Sequence, residues 1–221
     1  MSPTPAQVQI VESAVQAIPD DRFVKFPGGW PDKISMALLD AVYSGQQRYL
    51  SDTPGKGVFN RLHAFKYEHE DVHDDLEALV NLGEAEIRTH MGDNVVRDGL
   101  RTRKSVALQY AARDFIELGV QHHHQVTPEN KAQLKEAYTG IKGLGWVTFE
   151  YFLMLLGQPG IKPDTMIRGF VNGALSAASE PKVSERDAGK ILQSVYESLG
   201  LSSSMTLTDF DHTIWLWQRS R

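Results

Sequence analysis

Two glycines around one leucine, Gly143-Leu144-Gly145, and an aspartate 19 residues after the second glycine, Asp164, are the residues best suited to chemistry. A glycine costs roughly 1 kcal/mol relative to alanine inside a helix, so this pair marks a tight turn rather than a helix interior. A turn that opens a helix leaves backbone N–H groups unpaired, and such groups bind anions, phosphates above all. Glycine lets a phosphate approach closely because no Cβ blocks it. Asp164 follows Pro163 and precedes Thr165 at the start of a second apolar stretch. A fixed carboxylate there can stabilise a developing positive charge or orient a water. The same residue also reads as an ordinary N-cap.

Helices must position these residues. Val147, Phe149, Phe152, Leu153, Leu155 and Leu156 predict an apolar helix that stops at Gly157, and Thr165 to Val171 begin the next. Upstream, apolar spacing predicts helices over 6–18, over 33–49 with Asp32 as cap and a stripe of Ile34, Leu38, Val42 and Tyr43, and a short one with Val58, Leu62 and Phe65. Further helices are predicted over 103–119, over 129–138 after Pro128, over 184–199 capped by Ser184, and from Thr206 or Thr208 onward. No strand pattern of useful length and no repeat occurs, so the expected fold class is all-α.

Composition excludes several classes. The chain has 221 residues, 41% hydrophobic and 23% charged, and no cysteine. Disulfides, thiolate zinc sites and iron–sulfur clusters are thereby excluded. No apolar run reaches the roughly 18–20 residues of a membrane span, and the N-terminus lacks a signal pattern, so a cytoplasmic location without membrane partners is expected. Net charge is −5, awkward for a nucleic-acid binder, but Glu68 to Glu86 holds eight acids and no Lys or Arg, leaving +3 elsewhere (−5 + 8). That acidic run reads as a solvated helix pair. His122-His123-His124 reads as a helix C-terminal loop rather than a metal site, because consecutive histidines cannot all face one ion from a helix.

The pattern Ile141, Gly143, Leu144, Gly145, Thr148, then Pro163-Asp164-Thr165, resembles the helix–hairpin–helix DNA glycosylase superfamily, with its endonuclease III and alkyladenine glycosylase branches. The likeness covers roughly residues 33–178 and is strongest over 141–171. It implies a two-lobed helical fold, one lobe over 35–120 and the other from 1–34 with 121–221, with a cleft between them. It also implies double-stranded DNA as partner, Asp164 as catalytic carboxylate, and a phosphate contact at Gly143, Leu144 and Gly145 with Trp146, Lys142 and Arg168 nearby; a monomer is assumed. Lys142 reads equally as a surface lysine. Gln46, or its neighbour Gln47, matches the residue that fills the space left by a displaced nucleotide. Tyr43, Trp30 and Tyr151 are candidates for the walls of a base pocket, although aromatics at helical spacing also belong in a core. No cofactor is implied, nor a side-chain metal site; the resemblance does imply a monovalent cation on backbone carbonyls around Ile141 and Gly143.

Two departures matter. The four-cysteine cluster of part of the superfamily is missing. Bifunctional members carry a Schiff-base lysine two residues after the second hairpin glycine, where this chain has Val147. The resemblance therefore implies a monofunctional enzyme using water. Met166 stands where a histidine often follows Asp-Thr, which leans toward a non-catalytic DNA-binding module. A helical protein-interaction domain is a third reading.

Overall fold

Local sequence explains where many of the helices begin. The computed structural model describes residues 2–45, 47–96 and 99–221. α1 (Pro5–Gln16) starts at Thr4, whose hydroxyl accepts the Gln7 N–H while the Gln7 side chain accepts the Thr4 N–H. α2 (Ile34–Ser44), α3 (Val58–Glu68), α4 (Leu76–Leu82) and α5 (Glu84–Met91) follow. Asp75 caps α4 through the N–H groups of Glu77 and Ala78. α6 (Lys104–Glu117), α7 (Lys131–Gly140) and α8 (Trp146–Leu155) lead to α9 (Thr165–Ala177), which Asp164 caps. α10 (Glu185–Ser198) is capped by Ser184, as its sequence predicts, and α11 (Leu207–Arg219) by Thr206 in a capping box with Asp209. Among the described residues there are eleven α-helices and no strand beyond one isolated bridge, Val95 with Arg103, so the fold class is all-α. None of these helices is long and apolar enough to cross a membrane.

The chain divides into two compact units, Met1–Gly28 with Gln158–Arg221, and Gly29–Gly157. Residues 121–157 thus group with α2 to α6, whereas the expected division set them with the other lobe. In the first unit α1, α9, α10 and α11 enclose a core of Val11, Val15, Ile167, Val171, Ile191, Val195, Phe210 and Ile214.

In the second unit α2 is central and packs on α8, α3 and α6. Every residue from Ile34 to Tyr43 is buried, so the helix has no solvated face and the expected stripe of four is only part of its contact. Such a helix cannot leave its ends to water. Asp32 does not cap it: this residue lies at positive φ (61°) and pairs with His123 at 3.1 Å. The Ile34 N–H instead donates to Asp74 Oδ1 at 3.1 Å. At the other end the helix stops at Ser44, short of the expected 49, and Lys104 Nζ donates to the carbonyls of Tyr43 (2.9 Å) and Gly45 (2.6 Å).

Lys104 is only 4% exposed, and burial lowers its ammonium pKa from 10.5 to about 8. Between those values the unfolded chain binds a proton that the folded chain has released, so stability rises with pH there; below pH 8 the burial cost is present in full. The neutral amine keeps two donors for the two carbonyls. Urea unfolding of wild type and Lys104→Met between pH 7.5 and 9.5 is expected to show wild type gaining on the variant as pH rises, by up to about 1.4 kcal/mol per pH unit. A pH-independent difference would refute this account of the buried amine.

Candidate functional site

Asp164 follows the buried Pro163 and is half-buried. Its Oδ1 accepts the N–H groups of Met166 (2.8 Å) and Ile167 (3.2 Å), which is the capping role, and its Oδ2 accepts Trp215 Nε1 at 3.2 Å. A second carboxyl stands beside it. Asp211 on α11 is 6% exposed and accepts the Lys162 N–H at 3.0 Å. Burial pushes its pKa well above the ordinary value; the Lys162 N–H opposes that, and the Asp164 charge adds to it. One carboxylate fixed by a helix end and an indole, next to an acid driven toward its neutral form, is a division of labour found at acid–base sites. Trp215 lies parallel to His212 at 6.5 Å, with the Arg219 guanidinium 5.0 Å from the indole centroid. Burial lowers the His212 pKa, against the pull of Asp209. Gly169 lies under Gln218, whose Nε2 would be 3.2 Å from a Cβ placed there. Asp211 and Trp215 were missed in the sequence because α11 reads there as a capped amphipathic helix; only the 47-residue return from α9 brings them to Asp164 (211 − 164).

The glycine turn lies in the other unit. α7 ends at Gly140 and α8 begins at Trp146 behind Gly145, with no side-chain cap. Gly143 has φ of 95°, which a side chain resists, and nothing lies within 4 Å of a Cβ built on Gly145, so that side is open to a ligand. Tyr138 donates to Thr148 Oγ1 at 3.1 Å, and Thr148 donates to the Gly145 carbonyl at 2.8 Å, which holds the turn against the core. Leu144 is buried, Lys142 is exposed, and Trp146 is half-buried under Lys135 Nζ at 5.8 Å. The Ile141 carbonyl already accepts the Leu144 N–H at 3.0 Å, so a cation there would have to share it. A groove of about 450 Å³ adjoins the turn, lined by Leu100, Tyr110, Asp114, Glu136, Ile141 and Lys142. Its acids work against phosphate on that flank; burial raises the Asp114 pKa, and Glu117 adds to the shift.

Several other expected site residues are paired or buried. Gln46 lies outside the described residues; Gln47 is exposed in the loop after α2. Arg168 on α9 pairs with Glu185 at 3.1 Å. Tyr43 is 0% exposed and belongs to the core, so a base could stack on it only if α2 moved. Trp30 and Tyr151 are 7% and 8% exposed and surround Asp40 rather than an open slot. Trp30 Nε1 and the Tyr49 hydroxyl each donate to Asp40 Oδ2 at 2.9 Å, and Tyr151 hydrogen-bonds Tyr49. These aromatics satisfy one oxygen of a fully buried carboxylate, a role invisible without knowing that α2 has no wet face. His123, with His124 beside it, meets Asp74 at 2.7 Å through Nδ1, but Asp74 already accepts the N–H groups of Ile34 and His123, so this group serves structure.

A family model described as a domain of unknown function (DUF8548) matches residues 9–219 of the chain. No curated protein matches it.

Asp211 makes a stability test. Between its ordinary value and its raised one the folded chain holds a proton that the unfolded chain has lost, so stability falls as pH rises through that range. Asp211→Asn keeps the oxygen that accepts the Lys162 N–H and cannot ionise. It is expected to be more stable than wild type at pH 7, with the gain vanishing as pH falls into the ordinary carboxyl range. Thermal unfolding at both pH values is the measurement; a variant less stable than wild type at pH 7 would contradict the assignment.

Proposed function

The chain belongs to the DUF8548 family, and we propose that its function is to bind duplex DNA and hydrolyse the N-glycosidic bond of a damaged or modified base. The observation that carries this reading is Asp164: a carboxylate fixed at a helix N-terminus by two backbone N–H groups and an indole, with the buried acid Asp211 beside it. When the bond between C1′ and the base nitrogen breaks, its electron pair leaves with the base and positive charge builds on the sugar. The Asp164 carboxylate opposes that charge at its fixed position. A water adds its oxygen to C1′ and passes a proton to Asp164, while the departing base takes a proton from solvent. Asp211, pushed toward its neutral form, keeps a second negative charge from crowding Asp164. Val147 offers no amine for a Schiff base, so no lysine-driven strand scission accompanies the step. The Gly143–Gly145 turn, with an uncapped α8 and open space over Gly145, takes the role of phosphate contact.

A DNA-binding module without catalysis is the second reading. It is favoured by the three hydrogen bonds that Asp164 already accepts, which leave it fully employed as a cap and an indole partner.

Asp164→Asn separates the two, because Asn caps a helix as well as Asp and the fold should survive. On duplexes carrying uracil, alkylated, oxidised or mismatched bases, wild type is expected to release one class of base about 10²- to 10³-fold faster than the variant. Duplex affinity should stay the same in both and drop steeply with added salt. Equal release by the two proteins rules out the catalytic role, and salt-insensitive or absent duplex binding rules out both readings.

A further inference from the structure

The acidic stretch between α3 and α5 contains a second constellation of a different kind. His69 follows the last residue of α3, and Glu86 and His90 are four apart on α5, so the latter two share one face of that helix. The three side chains converge. His69 Nε2 is 3.1 Å from His90 Nε2, His90 Nε2 is 3.1 Å from Glu86 Oε1, and His69 Nε2 is 3.7 Å from the same Glu86 oxygen. Glu68 Oε2 approaches His90 Nε2 at 3.8 Å.

Protons alone satisfy this arrangement poorly. An imidazole nitrogen offers either one N–H or one lone pair. His90 Nε2 faces both another ring nitrogen and a carboxylate at hydrogen-bond distance, so it must split a single proton between two partners or leave one unmet. A divalent ion removes the conflict, because it accepts lone pairs from all of them. The spacing also suits one: tetrahedral ligands at the Zn–N and Zn–O lengths of about 2.0–2.2 Å lie about 3.3 Å apart, close to the distances seen.

The surroundings are those of an ion site. The rings of His69 and His90 stand nearly perpendicular, at 88°, and both pack on Phe65, with centroids 4.7 and 5.7 Å away. Phe65 is fully buried and forms an apolar floor. The histidine side chains are 16% and 11% exposed, whereas Glu86 and Glu68 are 45% and 55% exposed, so an ion can enter from the carboxylate side. In the other His–carboxylate group, Asp74 Oδ1 accepts two backbone N–H groups and both His123 nitrogens already face carboxylates, Asp74 Oδ2 at 2.7 Å and Asp32 at 3.1 Å.

We infer that His69, His90 and Glu86 bind a zinc ion that fastens the end of α3 to α5, with the Glu68 carboxylate at its approach. Imidazole and carboxylate donors without thiolate suit zinc among the borderline divalent ions. The site is independent of the DNA reading and can be tested apart from it.

The test uses the full chain stripped with EDTA and titrated with zinc chloride, reading bound zinc per chain and Tm. Wild type is expected to take up one zinc at this site and to gain roughly 5–10 °C when free zinc is about a hundred times Kd. The double variant His69→Gln/His90→Gln should lose both effects, and His123→Gln should keep them. Should the histidine variant not fold, Glu68→Gln/Glu86→Gln alters the more exposed carboxylates and is expected to weaken binding by about tenfold or more. Failure of wild type to take up zinc, uptake unchanged by these substitutions, or uptake lost only in His123→Gln would overturn the assignment.

Discussion

A helix buried on all sides must have its ends satisfied by the rest of the protein, and this demand organises the unit of residues 29–157. Each unmet carbonyl or N–H at such an end costs on the order of 1–3 kcal/mol. α2 meets the demand with two charged groups from distant segments. Asp74 takes the first N–H, and Lys104 covers the last carbonyls. The interior of α2 carries its own polar burden in Asp40, which is why Trp30 and Tyr49 turn their donors inward. Loop 29–33, helices α3 and α6 and the 69–75 segment are therefore tied to one rod. The aromatics that sequence spacing offers as a binding pocket are consumed in holding it.

The acidic segment belongs to the same logic. A run of eight acids without a Lys or Arg suggests a solvated surface. In the folded chain several of these acids point to work instead. Asp74 closes α2 and orients His123, Asp75 caps α4, Glu84 accepts the Ser105 hydroxyl at 2.6 Å, and Glu86 turns toward two histidines. Backbone N–H groups and the His123 ring lower the Asp74 pKa despite its partial burial. Charge that appears as an obstacle to nucleic-acid binding in the composition is thus partly spent inside the unit.

In the other unit the same competition between structure and chemistry falls on Asp164. Its cap role and its bond to Trp215 hold the carboxylate still, which a site needs, and at the same time occupy its lone pairs, which a site does not. Asp211 sharpens the case. A buried acid beside another acid destabilises the fold, so its presence is a cost that packing alone does not require. The buried acid beside it distinguishes Asp164 from Asp75, the cap of α4, whose own pKa is lowered by its hydrogen bonds.

What the sequence determined by itself was local. Periodicity placed all-α structure throughout, and short-range signals placed the caps at Ser184 and Asp164, narrowed the last to Thr206 or Thr208, and placed the turn at Gly143–Gly145, because those features depend on atoms within four residues. Tertiary structure alone decided the rest. The length of α2, the retirement of Tyr43 into the core, the meeting of Asp164 with Asp211, and the convergence of His69 with Glu86 and His90 all join groups 17 to 61 residues apart. Nothing in local propensity encodes such meetings; they follow from which helix faces are forced together when apolar surface leaves water.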